Sequence, residues 1–267
     1  MQSKFIQRNE KHMDEMKREE AFEDDTLDRL KQFTAARIGI GRTGASIPLK
    51  QSLELKLAHA HARDAVYSEL DIDKLSSDLK QFDLPVLLLH SLAVYREMYL
   101  QRPDLGRQLN EESIEFVKDY SNNQMDVVII IADGLSAAAV NHHAVSLLKV
   151  LLPQLQSAGL QPGPISLVKQ GRVAIADDIG VHLNAKLSLI LIGERPGLSS
   201  ADSMGCYITY GPAQGLTDES RNCISNIRPH GLTFKSASQK IFYLIQEAFR
   251  RKLSGVGLKD NAGLLNS

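Results

Sequence analysis

The chain reads as an α/β protein: a mostly parallel sheet domain over 121–267, preceded by a helical region at 26–120 and a charged arm at 1–25. Three observations predict this. VVIIIA (127–132) and LSLILIG (187–193) are unbroken apolar runs of strand length, the pattern of strands buried on both faces. Helical patterns separate these strands and two further ones, ISLVKQ and CYITYG, and such alternation favours parallel pairing with helices on both sides. Ahead of residue 121 the apolar residues recur mainly at helical spacing.

Each element has a local reason. Leu27, Leu30 and Phe33 fall at helical spacing behind Thr26, a suitable cap, and this helix stops at Gly39-Ile40-Gly41-Arg42-Thr43-Gly44. A long helix follows from Pro48 to Leu70, with Leu49, Leu53, Leu57, Ala60 and Val66 near one face. Residues 71–82 are again helical, Val86–Leu92 suits a strand or a buried helical turn, and the turn at 102–107 leads into a helix through Tyr120. In the sheet domain a helix runs from about Ala137 to Ser157 and ends at Gly159, where a glycine readily takes the left-handed conformation. ADDIGVHL is a short helix. The closing helix, Ser236 to Lys252, carries Ile241, Leu244, Ile245, Ala248 and Phe249 on one face.

Composition narrows the function classes. Lysine plus arginine (31) nearly balance aspartate plus glutamate (32), so no basic excess exists to hold a nucleic-acid backbone. The apolar runs are far shorter than the ~20 residues of a membrane span, and the charge-dense N-terminus has no signal-peptide core. Two cysteines make no disulfide framework, which fits a reducing, cytoplasmic setting.

The segment 193–231 holds the densest set of candidate ligand residues: Glu194, Arg195, Cys206, Arg221, Cys223 and Asn226, read as mostly irregular chain leaving a buried strand. Loops at the carboxyl ends of strands are where open α/β sheets bind ligands. Glu194 is placed to accept hydrogen bonds from ligand amides or hydroxyls, or to pair locally with Arg195. Cys223 suits packing against a ligand or filling core; as a nucleophile it has only His230 nearby. Asp133 and Ser136 suit helix capping or a ligand at the helix start. Arg37 and Arg42, beside the glycine turn, suit a partner chain. His142 and His143 point about 100° apart on a helix and cannot share a metal, and His59 and His61 have the same difficulty. No triad, carboxylate pair or metal cluster emerges. This favours a chain that binds a cofactor whose chemistry is completed elsewhere. The alternative, a stand-alone nucleotide- or dinucleotide-binding enzyme, lacks G-x-G-x-x-G after the first strand of the sheet domain, where ADGLSA stands.

Taken together, ARIGIGRTG (36–44), YLQRPDLGRQL (99–109), VVIIIADGLSAAAV (127–140), GRVAIADDIG (171–180), LILIGERPGLSSADSMGCYITYGP (189–212) and RNCISNI (221–227) resemble the small, or light, subunit of ethanolamine ammonia-lyase. The resemblance covers nearly everything beyond the arm. It implies a Rossmann-like domain, adenosylcobalamin as cofactor, and a hetero-oligomer with a large subunit that carries out the radical conversion of ethanolamine to acetaldehyde and ammonia. It also implies cobalamin contacts at Val173, Glu194 and Cys223, with no histidine of this chain on cobalt. Some members of that family carry a longer amphipathic arm directing them into a bacterial microcompartment; residues 1–25 here are short and charged, a departure from that pattern.

Overall fold

Burial on both faces makes a six-stranded sheet the centre of the computed structural model, which describes residues 29–34, 36–121 and 125–259. The charged arm at 1–25 and the start of the first expected helix, with Leu27, lie outside the described residues. The chain divides into two units, Met1–Ala60 and His61–Ser267.

In the first unit, Gly39, Gly41 and Gly44 all take positive φ (57°, 72° and 62°), a region other residues enter only at a cost. The turn they build leads into α1 (Leu49–Tyr67). Among the described residues nothing covers the leucines of the apolar face expected there: Leu49, Leu53 and Leu57 are 75%, 55% and 57% exposed.

The second unit contains α2 (Ile72–Leu79), β1 (Val86–His90), α3 (Arg96–Gln101), α4 (Glu111–Lys118), β2 (Val127–Ala132), α5 (Ala137–Ser157), β3 (Pro162–Lys169), α6 (Ile175–His182), β4 (Leu187–Gly193), β5 (Met204–Tyr210), β6 (Asn222–Ile227) and α7 (Phe234–Arg251). Helix starts follow local chemistry: the side chains of Asp71, Asn110 and Thr233 accept from the backbone N–H groups of Lys74, Ser113 and Ser236. The strand order is β1-β3-β2-β4-β5-β6. The first four strands pair in parallel, β5 runs antiparallel to β4, and β6 runs antiparallel to β5.

Every residue of β2 and β4 is buried. Val127, Ile129 and Ile131 pack towards α2, α5 and α7, while Val128, Ile130 and Ala132 pack towards α4 and α6. A buried aliphatic side chain contributes roughly 1.5–3 kcal/mol, so these two strands anchor both layers.

Of the two readings open for Val86–Leu92, the strand holds: Val86–His90 is β1, on the edge of the sheet. Two features differ from the sequence reading. A short helix at 96–101 went unanticipated. Where the sequence predicts irregular chain, Asn222–Ile227 forms β6; it is an edge strand in which only Ile224 and Ile227 are buried, so its apolar signal is thin.

Candidate functional site

From β2 the chain passes through α5 to β3 on one side, then returns through α6 to β4 on the other side of β2. The strand order therefore reverses between the carboxyl ends of β2 and β4, the position at which open α/β sheets receive ligands. Asp133-Gly134 leaves β2 there, and Gly193-Glu194 leaves β4.

The two loops are in close contact. Leu135 N–H donates to the Gly193 carbonyl at 2.9 Å. A Cβ on Gly134 would lie 2.3 Å from that same oxygen, and one on Gly193 would lie 2.0 Å from the Ser136 carbonyl oxygen. Gly134 also takes φ +58°. Any side chain at either position would push the two strand ends apart.

Asp133 turns away from the ligand side. Its carboxylate accepts from the N–H groups of Gln170 (2.8 Å) and Gly171 (3.0 Å), with Arg96 at 3.8 Å. Burial pushes its pKa up against these partners. Ser136 occupies the N-cap of α5, but its hydroxyl donates to the Ala201 carbonyl, and the N–H of Ala138 finds Ser68 Oγ instead. Neither residue caps the helix as the sequence suggested.

A cleft of about 380 Å³ opens at this reversal, lined by Tyr99, Leu135, Arg172, Val173, Glu194, Arg195 and Tyr207 among others. Val173 and Glu194 thus share one cleft. Cys223 is not in its lining; it is the cross-strand partner of Tyr207 and shares a hydrogen bond with it. Cys223 is exposed by surface area, yet protein crowds its thiol enough to raise the pKa, with the Glu194 carboxylate adding to the rise. Cys206, by contrast, is buried in the core.

Glu194 is held by three donors. Ser203 Oγ and Asn226 N–H reach Oε2 at 2.5 and 3.2 Å, and Ser225 Oγ reaches Oε1 at 2.5 Å. A carboxylate offers about four acceptor sites, so one direction on Oε1 remains for a ligand. Arg195 is exposed and makes no ion pair with Glu194. Asn226 sits at φ +60°, which brings its backbone N–H beneath the carboxylate.

Arg221 belongs to the frame rather than to the ligand surface. Its guanidinium pairs with buried Asp177 and with Asp218, and donates to the Thr217 carbonyl, tying α6 to the turn before β6. Asp178, beside Asp177, accepts from Leu109 N–H at 2.8 Å. The ADDIG block is thus a pair of buried anchors. His143 meets Asp202 at 3.2 Å, away from the cleft lining.

Tyr99 was not anticipated. Its fully buried ring lies between two guanidiniums, Arg172 at 4.1 Å and Arg96 at 4.6 Å from the centroid, and Arg172 Nη2 also donates to the Tyr99 carbonyl. The signal was the YLQRPDLGR block, in which nothing local names a partner 73 residues away. Size alone would select another cleft, of about 960 Å³ beside β1, but it holds none of Val173, Glu194 or Cys223.

Residues 24–259 match the family model described as Ethanolamine ammonia-lyase light chain (EutC). Among similar proteins, one from Azotobacter vinelandii (strain DJ) named ethanolamine ammonia-lyase small subunit is 52% identical over 237 residues, covering 88% of each chain. Proteins of the same name from Pseudomonas aeruginosa (strain LESB58) and Pseudomonas fluorescens (strain SBW25) are each 51% identical over 236 residues; they cover 87% of this chain and 86% and 85% of their own.

Proposed function

The chain belongs to the ethanolamine ammonia-lyase light-chain family, and from that premise we propose that it closes an adenosylcobalamin site on a large catalytic subunit. It is the small-subunit component of a carbon–nitrogen lyase that acts on ethanolamine. The carrying observation is the shallow cleft at the β2/β4 reversal. Small-molecule sites run from about 300 to 1,000 Å³, and 380 Å³ is at the low end. A corrinoid far exceeds it, so this chain alone covers one part of the cofactor and a second chain must enclose the rest.

The lining fits such a role. Leu135, Val173, Ile192 and the Tyr207 ring offer an apolar bed, and Glu194 presents one remaining acceptor direction to a side-chain amide. Cys223 supports Tyr207 from the adjoining strand. Cobalamin would supply the radical chemistry; this chain's residues would bind and orient it and exclude water from the cleft. In this reading the domain over 121–267 is a Rossmann-like cofactor-binding domain in a cytoplasmic enzyme.

The uncovered leucines of α1 support a second element of the reading: residues 26–120 include the large-subunit contact. Leu49, Leu53 and Leu57 lie at i, i+4 and i+8 on one helix face and are more than half exposed. No helix among the described residues is long and apolar enough to cross a membrane, so a protein partner is the fitting cover.

An ethanolamine deamination assay with added adenosylcobalamin tests the whole reading. Activity is expected from the chain co-expressed with the large subunit of the same genome and from neither alone. A properly assembled pair that retains cobalamin and leaves ethanolamine untouched would contradict it.

A further inference from the structure

Two guanidiniums converge on the β2/β4 cleft, and only one of them has a structural task. Arg172 is held by Tyr99, through ring contact at 4.1 Å and the bond from Nη2 to the Tyr99 carbonyl; its buried Nε has no hydrogen-bond partner among the described residues. Arg195 lines the same cleft, is exposed, and pairs with no carboxylate among the described residues. The Glu194 carboxylate, their only ionic neighbour in the lining, is turned to Ser203, Ser225 and Asn226. The lining therefore carries a net charge of +1, and the guanidinium donors are the part left unsatisfied.

An unpartnered arginine beside an oriented one is an arrangement for a tetrahedral oxyanion, since the planar fork of guanidinium donors matches phosphate geometry. The net charge matches a monoanionic phosphodiester better than a dianion. Resting on the cobalamin reading, we propose that Arg195, with Arg172 beside it, recognises the phosphodiester of the cofactor's nucleotide loop. Glu194 then serves amide groups and Arg195 the phosphate. The cleft selects complete corrinoids over those lacking the loop.

The test uses the complex of the full chain with its large subunit, and three probes: adenosylcobalamin, adenosylcobinamide phosphate and adenosylcobinamide, bound at equilibrium and followed by corrin absorbance. Arg195→Ala is expected to weaken the two phosphate-bearing probes by about tenfold or more and to leave adenosylcobinamide unchanged. Arg195→Lys, which keeps the charge but loses the fork, is expected to fall between. Equal losses for all three probes, or no loss for any, would overturn the proposal. A wild-type complex that binds none of the three would remove the cobalamin reading, and the proposal with it, a result distinct from a wild type that binds and a variant that does not discriminate.

Discussion

The hydroxyl of Ser225 donates to Glu194 Oε1 at 2.5 Å, joining the edge strand β6 to the loop that leaves β4. With Ser203 and Asn226 on the other carboxylate oxygen, Glu194 ties three strand ends together beneath the cleft. The carboxylate thus shapes the cleft as well as lining it.

Glu194→Ala is expected to weaken adenosylcobalamin binding by the assembled complex by roughly 1–3 kcal/mol, the range for losing a charged acceptor. Fold and subunit assembly should survive. Ser225→Ala should cost about 1 kcal/mol or less, because Ser225 is exposed. In a double-mutant cycle the two losses should not add; strict additivity would mean that the bond does no work in the complex.

Arg221→Met is expected to destabilise the chain by about 3–5 kcal/mol, the cost of leaving one partner of a buried ion pair alone. Burial already raises the Asp177 pKa in spite of the arginine. Removing both charges with Asp177→Asn should recover part of the loss in urea unfolding. An Arg221→Met midpoint equal to wild type would show that the pair is dispensable.

Acid should unfasten a contact at the opposite end of the sheet. Burial pushes the Asp126 pKa up, but bonds from Lys186 Nζ (2.8 Å) and Gln161 N–H (2.9 Å) outweigh it, and the net shift is downward. A lowered carboxylate pKa contributes stability that is present above its ordinary value of 3.8 and is lost as pH falls below it. The stability gap between wild type and Asp126→Asn should be full at neutral pH and close as pH drops through that region. A gap independent of pH would refute the assignment.

Alkylation should find Cys223 and miss Cys206, which is buried. Because its thiol pKa is raised, Cys223 should react more slowly than a free cysteine at the same pH. Bound cobalamin in the assembled complex should slow it further. Mass spectrometry reads both effects, and modification unaffected by cofactor would place Cys223 outside the covered surface.

Leu53→Glu with Leu57→Glu should abolish co-purification with the large subunit and leave the melting temperature of the isolated chain nearly unchanged, since both side chains are exposed. Retained assembly would move the contact elsewhere.

Much of this architecture was legible where burial acts on both faces. VVIIIA and LSLILIG announce themselves because every residue in them must be apolar, and the loops after them mark the cleft. NCISNI was hidden for the opposite reason: as an edge strand it needs only Ile224 and Ile227 inside. Arg221 looked like a ligand residue because its partner, Asp177, lies 44 positions away. Tyr99 was silent because a buried aromatic between two arginines is a tertiary fact with no local pattern. Val173 and Glu194 were placed by family resemblance, and the fold brings both to one cleft; Cys223 stands one strand beyond it.

Equilibrium binding of adenosylcobalamin, measured for this chain alone, for the large subunit alone and for their complex, tests the shared site most directly. Tight, stoichiometric binding is expected only in the complex, and Glu194→Ala should weaken it. Equally tight binding by the large subunit without this chain would contradict a site that the two subunits complete together.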